Sequence, residues 1–393
     1  MELTYPGKQS EHSILHDTPA AALKTVRNPG RQAAVSNQLI HGENLQVMKR
    51  LLTENVKVDL IYIDPPFARN TTFRVGRDRV ATVSTSRLDE VAYHDKRMGS
   101  EFIEYIRARL ILLRELLSEH GSIYLHIDDK IGHYVKVIMD EVFGRDRFRN
   151  DISRIKCNPK NFSRRAFGNV KDVIFFYSKT GQPVWNQPTI AAREDAIVRL
   201  FPKIDNQGRR YTTNPLHAPG ETKNGESGKA WNGMMPPAGR HWRYSMAILD
   251  QLEREGRIEW SAKGNPRSII YADDHKNQRL QDIWEFKDSQ RPVYPTEKNF
   301  DLLKLIVATS SNPGQVVLDA FCGSGTTLLA AQLLGRHWIG IDESRSAINT
   351  SISRLTGGTR DDELSGAAFS LREQDTIPHQ RSERLIQRIP KAA

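Results

Sequence analysis

The stretch VDLIYIDPPF, Val58 to Phe67, decides the fold. Leu60, Ile61, Tyr62 and Ile63 form an apolar run of strand length, rich in β-formers and without alternation, which predicts a strand covered on both faces. The run stops at Asp64, where Pro65 and Pro66 fix φ and supply no backbone N–H, so the main chain leaves the sheet in a rigid turn. An acid, two prolines and an aromatic thus stand at the carboxyl end of a strand, the place where open α/β sheets bind ligands. The Asp64 carboxylate and the Pro65 carbonyl are two acceptors suited to an amino group, and the ring of Phe67 suits a flat heterocycle. An ordinary strand exit with a proline stop is the plainer alternative.

Outward from this strand the chain alternates. Leu39 and Ile40 read as a short strand ending in the polar turn HGEN, His41 to Asn44, and Leu45 to Leu52 has helical spacing. Ala68 to Arg97 is long for a loop without structure and reads as a lid. Phe102, Ile106, Leu110, Leu113 and Leu117 predict an amphipathic helix from Glu101 to His120, ended by Gly121. Strands are expected at Ser122 to Ile127, Asp151 to Lys156 and Val173 to Ser178, with a helix from Lys130 to Phe143. The fold class is therefore α/β, with a parallel sheet covered on both faces. Asp128 and Asp129 fit a helix cap better than a metal site, and the scattered histidines lack ligand spacing, so no metal is expected.

From Thr180 to Glu285, frequent prolines and glycines without a sustained period predict a separate, irregular lobe. It carries Arg209, Arg210, Arg240 and Arg243 with Trp231 and Trp242; arginine binds phosphate or guanine edges and indole stacks on bases, although the tryptophans could equally form the lobe's small core. Asn299 to Thr309 then reads as a helix. In QVVLDAFCGSG, Gln315 to Gly325, a strand ends at Asp319, and Gly323-Ser324-Gly325 opens a helix through Thr326, leaving free N–H groups for a ligand. About 20 residues on, strand Trp338 to Ile341 ends at Asp342, placed to bind the two hydroxyls of a ribose.

Composition narrows the class of partner without naming it, since ribosomal, membrane-surface and merely basic proteins share the same charge balance. The 393 residues carry a formal charge of +10, which points to a polyanionic partner, and 38% hydrophobic with 26% charged residues describe a globular chain. Cys157 and Cys322 alone make no disulfide framework. No apolar run reaches membrane-spanning length and MELTYPGKQSEH has no signal-peptide core, so a cytoplasmic location is expected. The first 38 residues read as a polar extension without nameable chemistry, and 356–393 as a polar tail.

DPPF, DAFCGSGTT and GIDES resemble the conserved blocks of the S-adenosylmethionine-dependent DNA amino-methyltransferases, the adenine-N6 and cytosine-N4 type. YPTEKNFDLL at 294–303 resembles the block before the cofactor strand, and HGEN the third cofactor-side strand end, with Glu43 for a commoner Asp. Phe67 and Ala320 stand where Tyr and Pro are commoner. The order, catalytic block first, resembles the β class and type III-like modification methyltransferases. It implies a circularly permuted Rossmann-like sheet in which 39–179 is the catalytic half, 286–355 the cofactor half and 180–285 an inserted target-recognition lobe. The resemblance further implies Asp64, Pro65, Pro66 and Phe67 as catalytic residues. For S-adenosylmethionine it implies Glu43, Thr296, Lys298, Asp319, Phe321, Gly323, Gly325, Thr326 and Asp342, and for DNA Arg209, Arg210, Arg240, Trp242 and Arg243. Double-stranded DNA is the implied partner; a cognate restriction endonuclease and a second copy of the chain are compatible with the family. Adenine N6 is preferred because cytosine-N4 members more often carry Ser before the two prolines. Cytosine N4, a catalytically silent DNA-binding subunit and an RNA substrate are the alternatives.

Overall fold

The computed structural model describes residues 2–27, 37–66, 71–75, 80–81, 90–95, 99–159, 165–192, 194–222, 224–275, 277–288, 297–357 and 368–375. The N-terminal extension is part of the fold. Helix α1 (Glu11–Asp17), capped by Ser10, buries Ile14 in the main core, and strand β1 (Leu23–Arg27) joins the central sheet. Next come β2 (Gln38–His41), α2 (Asn44–Thr53) and β3 (Val58–Ile63). Leu60 to Ile63 are at most 1% exposed, as an unbroken apolar run on a doubly covered strand requires.

The segment read as a lid contains β4 (Thr71–Val75), β5 (Val80–Ala81) and β6 (Glu90–Asp95), a small antiparallel sheet of its own. Helix α3 (Gly99–Leu116) ends before the expected His120, because Leu117 already pairs with Val58 and begins β7 (Leu117–Ile127). Gly121 lies where a Cβ would come within 2.8 Å of the Leu117 side chain and 3.0 Å of the Ser118 carbonyl. Asp128 caps α4 (Asp129–Phe143), accepting the Lys130 N–H at 3.2 Å, and β8 (Phe148–Ile155) and β9 (Lys171–Ser178) follow.

One compact unit is Pro188–Leu280, narrower than the predicted 180–285, since the flanking residues belong to the sheet unit. It is built of β10 (Thr189–Ala191), α5 (Glu194–Leu200), β11 (Lys203–Ile204), β12 (Arg210–Pro215), β13 (His217–Pro219), β14 (Arg240–Trp242), α6 (Met246–Arg254), β15 (Ile258–Trp260), β16 (Pro266–Tyr271) and β17 (Asn277–Arg279). Thus the lobe is not irregular: β11-β12-β16-β15 form an antiparallel sheet around a core of Leu216, Trp231, Trp242 and Leu249. Strands this short leave no readable period in the sequence.

The other unit, Met1–Gln187 with Gln281–Ala393, resumes with β18 (Ile283–Glu285), α7 (Phe300–Ser310), β19 (Val316–Asp319), α8 (Thr326–Leu333), β20 (His337–Asp342), α9 (Arg345–Gly357) and β21 (Ser370–Gln374). Its sheet has the order β1-β21-β2-β20-β19-β3-β7-β9-β8-β18. From β21 to β7 all pairs are parallel, but β1 and β9 run antiparallel to their neighbours, so the sheet is mixed and not wholly parallel. The tail, read only as polar, supplies β21 between β1 and β2. Strands β19 and β3 lie side by side, Val317 beside Leu60 and Leu318 beside Ile61. The chain continues from β19 toward β20 on one side and from β3 toward β7 on the other, which makes this pair the topological switch point.

Candidate active site

At the end of β19, Asp319 closes its own turn. Its carboxylate accepts the Phe321 N–H at 3.0 Å and the Thr327 hydroxyl at 2.6 Å. Gly323 and Gly325 have φ of +51° and +77°, and a Cβ on Gly325 would come within 2.8 Å of Ser351 Oγ. Asp342, at the end of the adjacent β20, accepts the Gly323 N–H at 2.9 Å on one oxygen and the Ser344 N–H at 2.8 Å on the other. Burial pushes Asp319 up to about 7 and Asp342 up to about 6, against the opposing pull of those hydrogen bonds. Arg354 of α9 covers the turn, donating to Ser324 Oγ at 2.8 Å and to Thr326 Oγ1 at 3.1 Å, and pairs with Glu297 at 2.9 Å.

Beyond β2, Glu43 caps α2, accepting the Leu45 N–H at 3.1 Å and the Gln46 N–H at 3.0 Å, and it pairs with Arg109. Arg109 donates to Asn44 Oδ1 at 2.6 Å, and Asn44 donates to the Ala320 carbonyl at 2.9 Å. Both oxygens of Glu43 therefore serve the fold, while its side chain, Tyr105 and Arg109 help line a cavity of about 410 Å³. The sequence reading missed Arg109. Its signal was a charge on the buried face of α3, which demands a buried partner.

At the end of β3, Asp64 Oδ2 is ion-paired with Lys298 Nζ, so Lys298, expected on the cofactor, touches the acid expected to act on the target. Asp64 Oδ1 is buried without a hydrogen-bond partner among the described residues. Such an oxygen costs about 1 to 3 kcal/mol, a cost a bound donor removes. Pro65 is buried and Pro66 half-buried, whereas Phe67 and Thr296 lie outside the described residues. On the same face of the sheet as Asp64, by the two-residue period of a strand, Tyr62 is hydrogen-bonded to His126 Nδ1 at 2.8 Å. Next to it, His126 Nε2 lies 3.4 Å from Asp172, which pairs with Lys156 at 2.5 Å. Burial holds the His126 imidazole below its ordinary range; burial also opposes ionisation of Asp172, but His126 and Lys156 outweigh it and hold that carboxyl low.

A family model described as a DNA methylase, of the N6 and N4 methyltransferase type, matches residues 58–353. The chain belongs to this family. As a DNA methyltransferase of the N6/N4 family it uses S-adenosylmethionine as its methyl donor. It is 41% identical over 364 residues to the type II methyltransferase M.EcaI of Enterobacter cloacae, covering 91% of this chain and 78% of that one. With the Mod subunit of the type III restriction-modification enzyme StyLTI from Salmonella typhimurium it shares 26% identity over 371 residues, 84% of this chain and 56% of the other. The crystal structure of the M1.HpyAVI–SAM complex aligns with 81% of this chain and 98% of its own, at 18% identity and a TM-score of 0.44.

The methyltransferase's lobe corrects one assignment to DNA. Trp242 is 1% exposed and donates its indole N–H to the Lys229 carbonyl at 2.9 Å, so it is core and not a stacking surface. Arg209 pairs with Asp205 at 2.8 Å and lies over the Tyr271 ring at 4.0 Å, so its guanidinium, 42% exposed, has partners within the lobe. Arg210 is half-buried on β12; Arg240 and Arg243 are exposed. Burial and then Arg240 and Arg243 hold His217 below its ordinary range, which places the two arginines and the imidazole in one electrostatic neighbourhood. Trp260, 49% exposed and stacked on Trp231 at 6.4 Å, is an outward ring that the sequence reading passed over.

Proposed function

We propose that this methyltransferase transfers a methyl group to the N6 of adenine in a specific double-stranded DNA sequence, within a restriction-modification context like that of its relatives. The observation that carries the reading is the buried Oδ1 of Asp64 at the end of β3, an acceptor without a donor among the described residues. S-adenosylmethionine, when bound, supplies an already activated methyl group. The residues at the switch point fit it: the glycine turn admits close approach, the start of α8 offers N–H groups, and each Asp342 oxygen accepts one N–H and keeps capacity for a ribose hydroxyl. Asp319, Phe321, Gly323, Gly325, Thr326 and Asp342 would hold it.

The exocyclic amino group is a poor nucleophile because its lone pair is delocalised into the ring. Hydrogen bonds from it to Asp64 Oδ1 and the Pro65 carbonyl favour a pyramidal nitrogen and stabilise the positive charge developing there. Lys298 fixes the carboxylate from its other oxygen, leaving Oδ1 to the target. A base inside a duplex cannot reach this strand end, so the target is flipped out, with Phe67 as its stacking ring. The catalytic block preceding the cofactor block supports the circularly permuted, β-class reading, with the lobe as target-recognition domain. Modified-base sequencing of DNA from cells expressing the chain tests this. N6-methyladenine at one recurrent sequence, absent with Asp64→Ala, is expected; N4-methylcytosine there would overturn the choice of base, and no modification despite cofactor binding would mean a silent subunit.

A further inference from the structure

Strands β8 and β9 are joined by a loop whose described part, 165–170, carries Phe167 with its ring 98% exposed. Phe167 stands between Ala166 and Gly168, two residues without long side chains to cover it, and burying its ring against a partner is favourable. Its position says which partner. β8 runs parallel to β18 and antiparallel to β9, which itself opposes β7, so β8 ends at the same edge of the sheet as β3 and Asp64. The base of the loop is closed by the Lys156 N–H donating to the Val170 carbonyl at 2.9 Å. Two residues from Phe167, the Asn169 side chain donates to Asp129 at 2.7 Å, in the first turn of α4 where it leaves the end of β7. The loop is thereby held at the catalytic edge. Strands β9 and β8 are two and three places from β3 in the sheet, or roughly 10 to 14 Å at the usual spacing. Exposed Arg165 and Lys171 flank the ring, cations of the kind that hold phosphates on either side of an inserted side chain.

We propose that Phe167 enters the DNA base stack and fills the space left by the flipped target base. This rests on the reading of the chain as a base-flipping DNA methyltransferase. Apolar side chains inserted between base steps offset unstacking, and a flipped base leaves such a step open. The ring touches neither the methyl donor nor the reacting nitrogen, so it is a positioning residue.

The test compares the wild-type enzyme, Phe167→Ala and Phe167→Trp on two duplexes carrying the sequence found by modified-base sequencing, one fully paired and one with the target base opposite an abasic site. On the paired duplex, Phe167→Ala should lower kcat/KM by about 10- to 100-fold and abolish the fluorescence rise of 2-aminopurine placed at the target position. On the abasic duplex, where the target is already unpaired, the loss should shrink to within about threefold, and Phe167→Trp should retain most activity on both. Equal losses on the two duplexes, or no loss on the paired one, would overturn the wedge while leaving the methyltransferase reading standing. Absence of transfer by the wild-type enzyme to either duplex would overturn both.

Discussion

The ends of β19 and β20 on one side, and of β3 on the other, carry acids that the fold treats in opposite ways. Asp319 and Asp342 give their oxygens to the Phe321, Gly323 and Ser344 N–H groups and the Thr327 hydroxyl, so the glycine turn is held in shape by its own backbone. Asp64 gives one oxygen to Lys298 and keeps the other buried and open. A cofactor cradle gains from being rigid before binding, because ordering costs are then already met by the fold. A group that acts on developing charge must instead keep an acceptor for the reacting nitrogen. The lobe repeats the contrast: Arg209 is tied to Asp205 and Tyr271, while the Arg243 side chain is exposed without an ion pair among the described residues.

The largest expected effect tests the open acceptor. Asp64→Ala should lower methyl transfer by about 100-fold or more, with cofactor affinity by calorimetry changed less than about threefold. Near-normal turnover in a folded variant would erase the distinction between the two strand ends. In the lobe, Arg243→Ala should relax choice at one base position by roughly 1 to 3 kcal/mol if the residue reads a base, or weaken all sequences alike and flatten the salt dependence if it holds phosphate. Arg209→Ala should leave the methylation profile unchanged; altered specificity in Arg209→Ala alone would reverse the comparison.

A third expectation concerns pH. Unfolded aspartates titrate near pH 4. Folded Asp319 and Asp342 hold their protons up to about 7 and about 6. Between these limits the folded chain binds more protons than the unfolded one, so these two groups make stability fall as pH rises from about 4 to about 7. The difference in urea stability between the parent and the Asp319→Asn, Asp342→Asn double variant should change by on the order of 5 kcal/mol across that window. Taking the difference cancels buried His41 and His126, whose lowered values raise stability over the same range. A pH-independent difference would mean that neither acid is protonated. The smallest effect belongs to Gly325→Ala, about 1 to 2 kcal/mol of lost stability by thermal unfolding, from the positive φ and the crowding against Ser351.

The sequence by itself determined the features that covalent geometry and short-range pattern control. The run from Leu60 to Ile63 had to be a covered strand, Pro65 and Pro66 had to end it, and Gly323 and Gly325 had to make the turn, because these depend on φ, missing N–H groups and local apolar density. Tertiary structure alone decided what distant residues do to one another. Lys298 reaches Asp64 from 234 positions away, and Gln374, in a tail that reads as polar filler, accepts the Glu43 N–H across 331. Likewise Trp242 and Trp260 sit in similarly polar, short-stranded surroundings, yet one is buried and the other open. No period in the sequence encodes such choices. They follow from which surfaces the closed chain brings together, and from the demand that a buried charge or N–H find a partner wherever the fold supplies one.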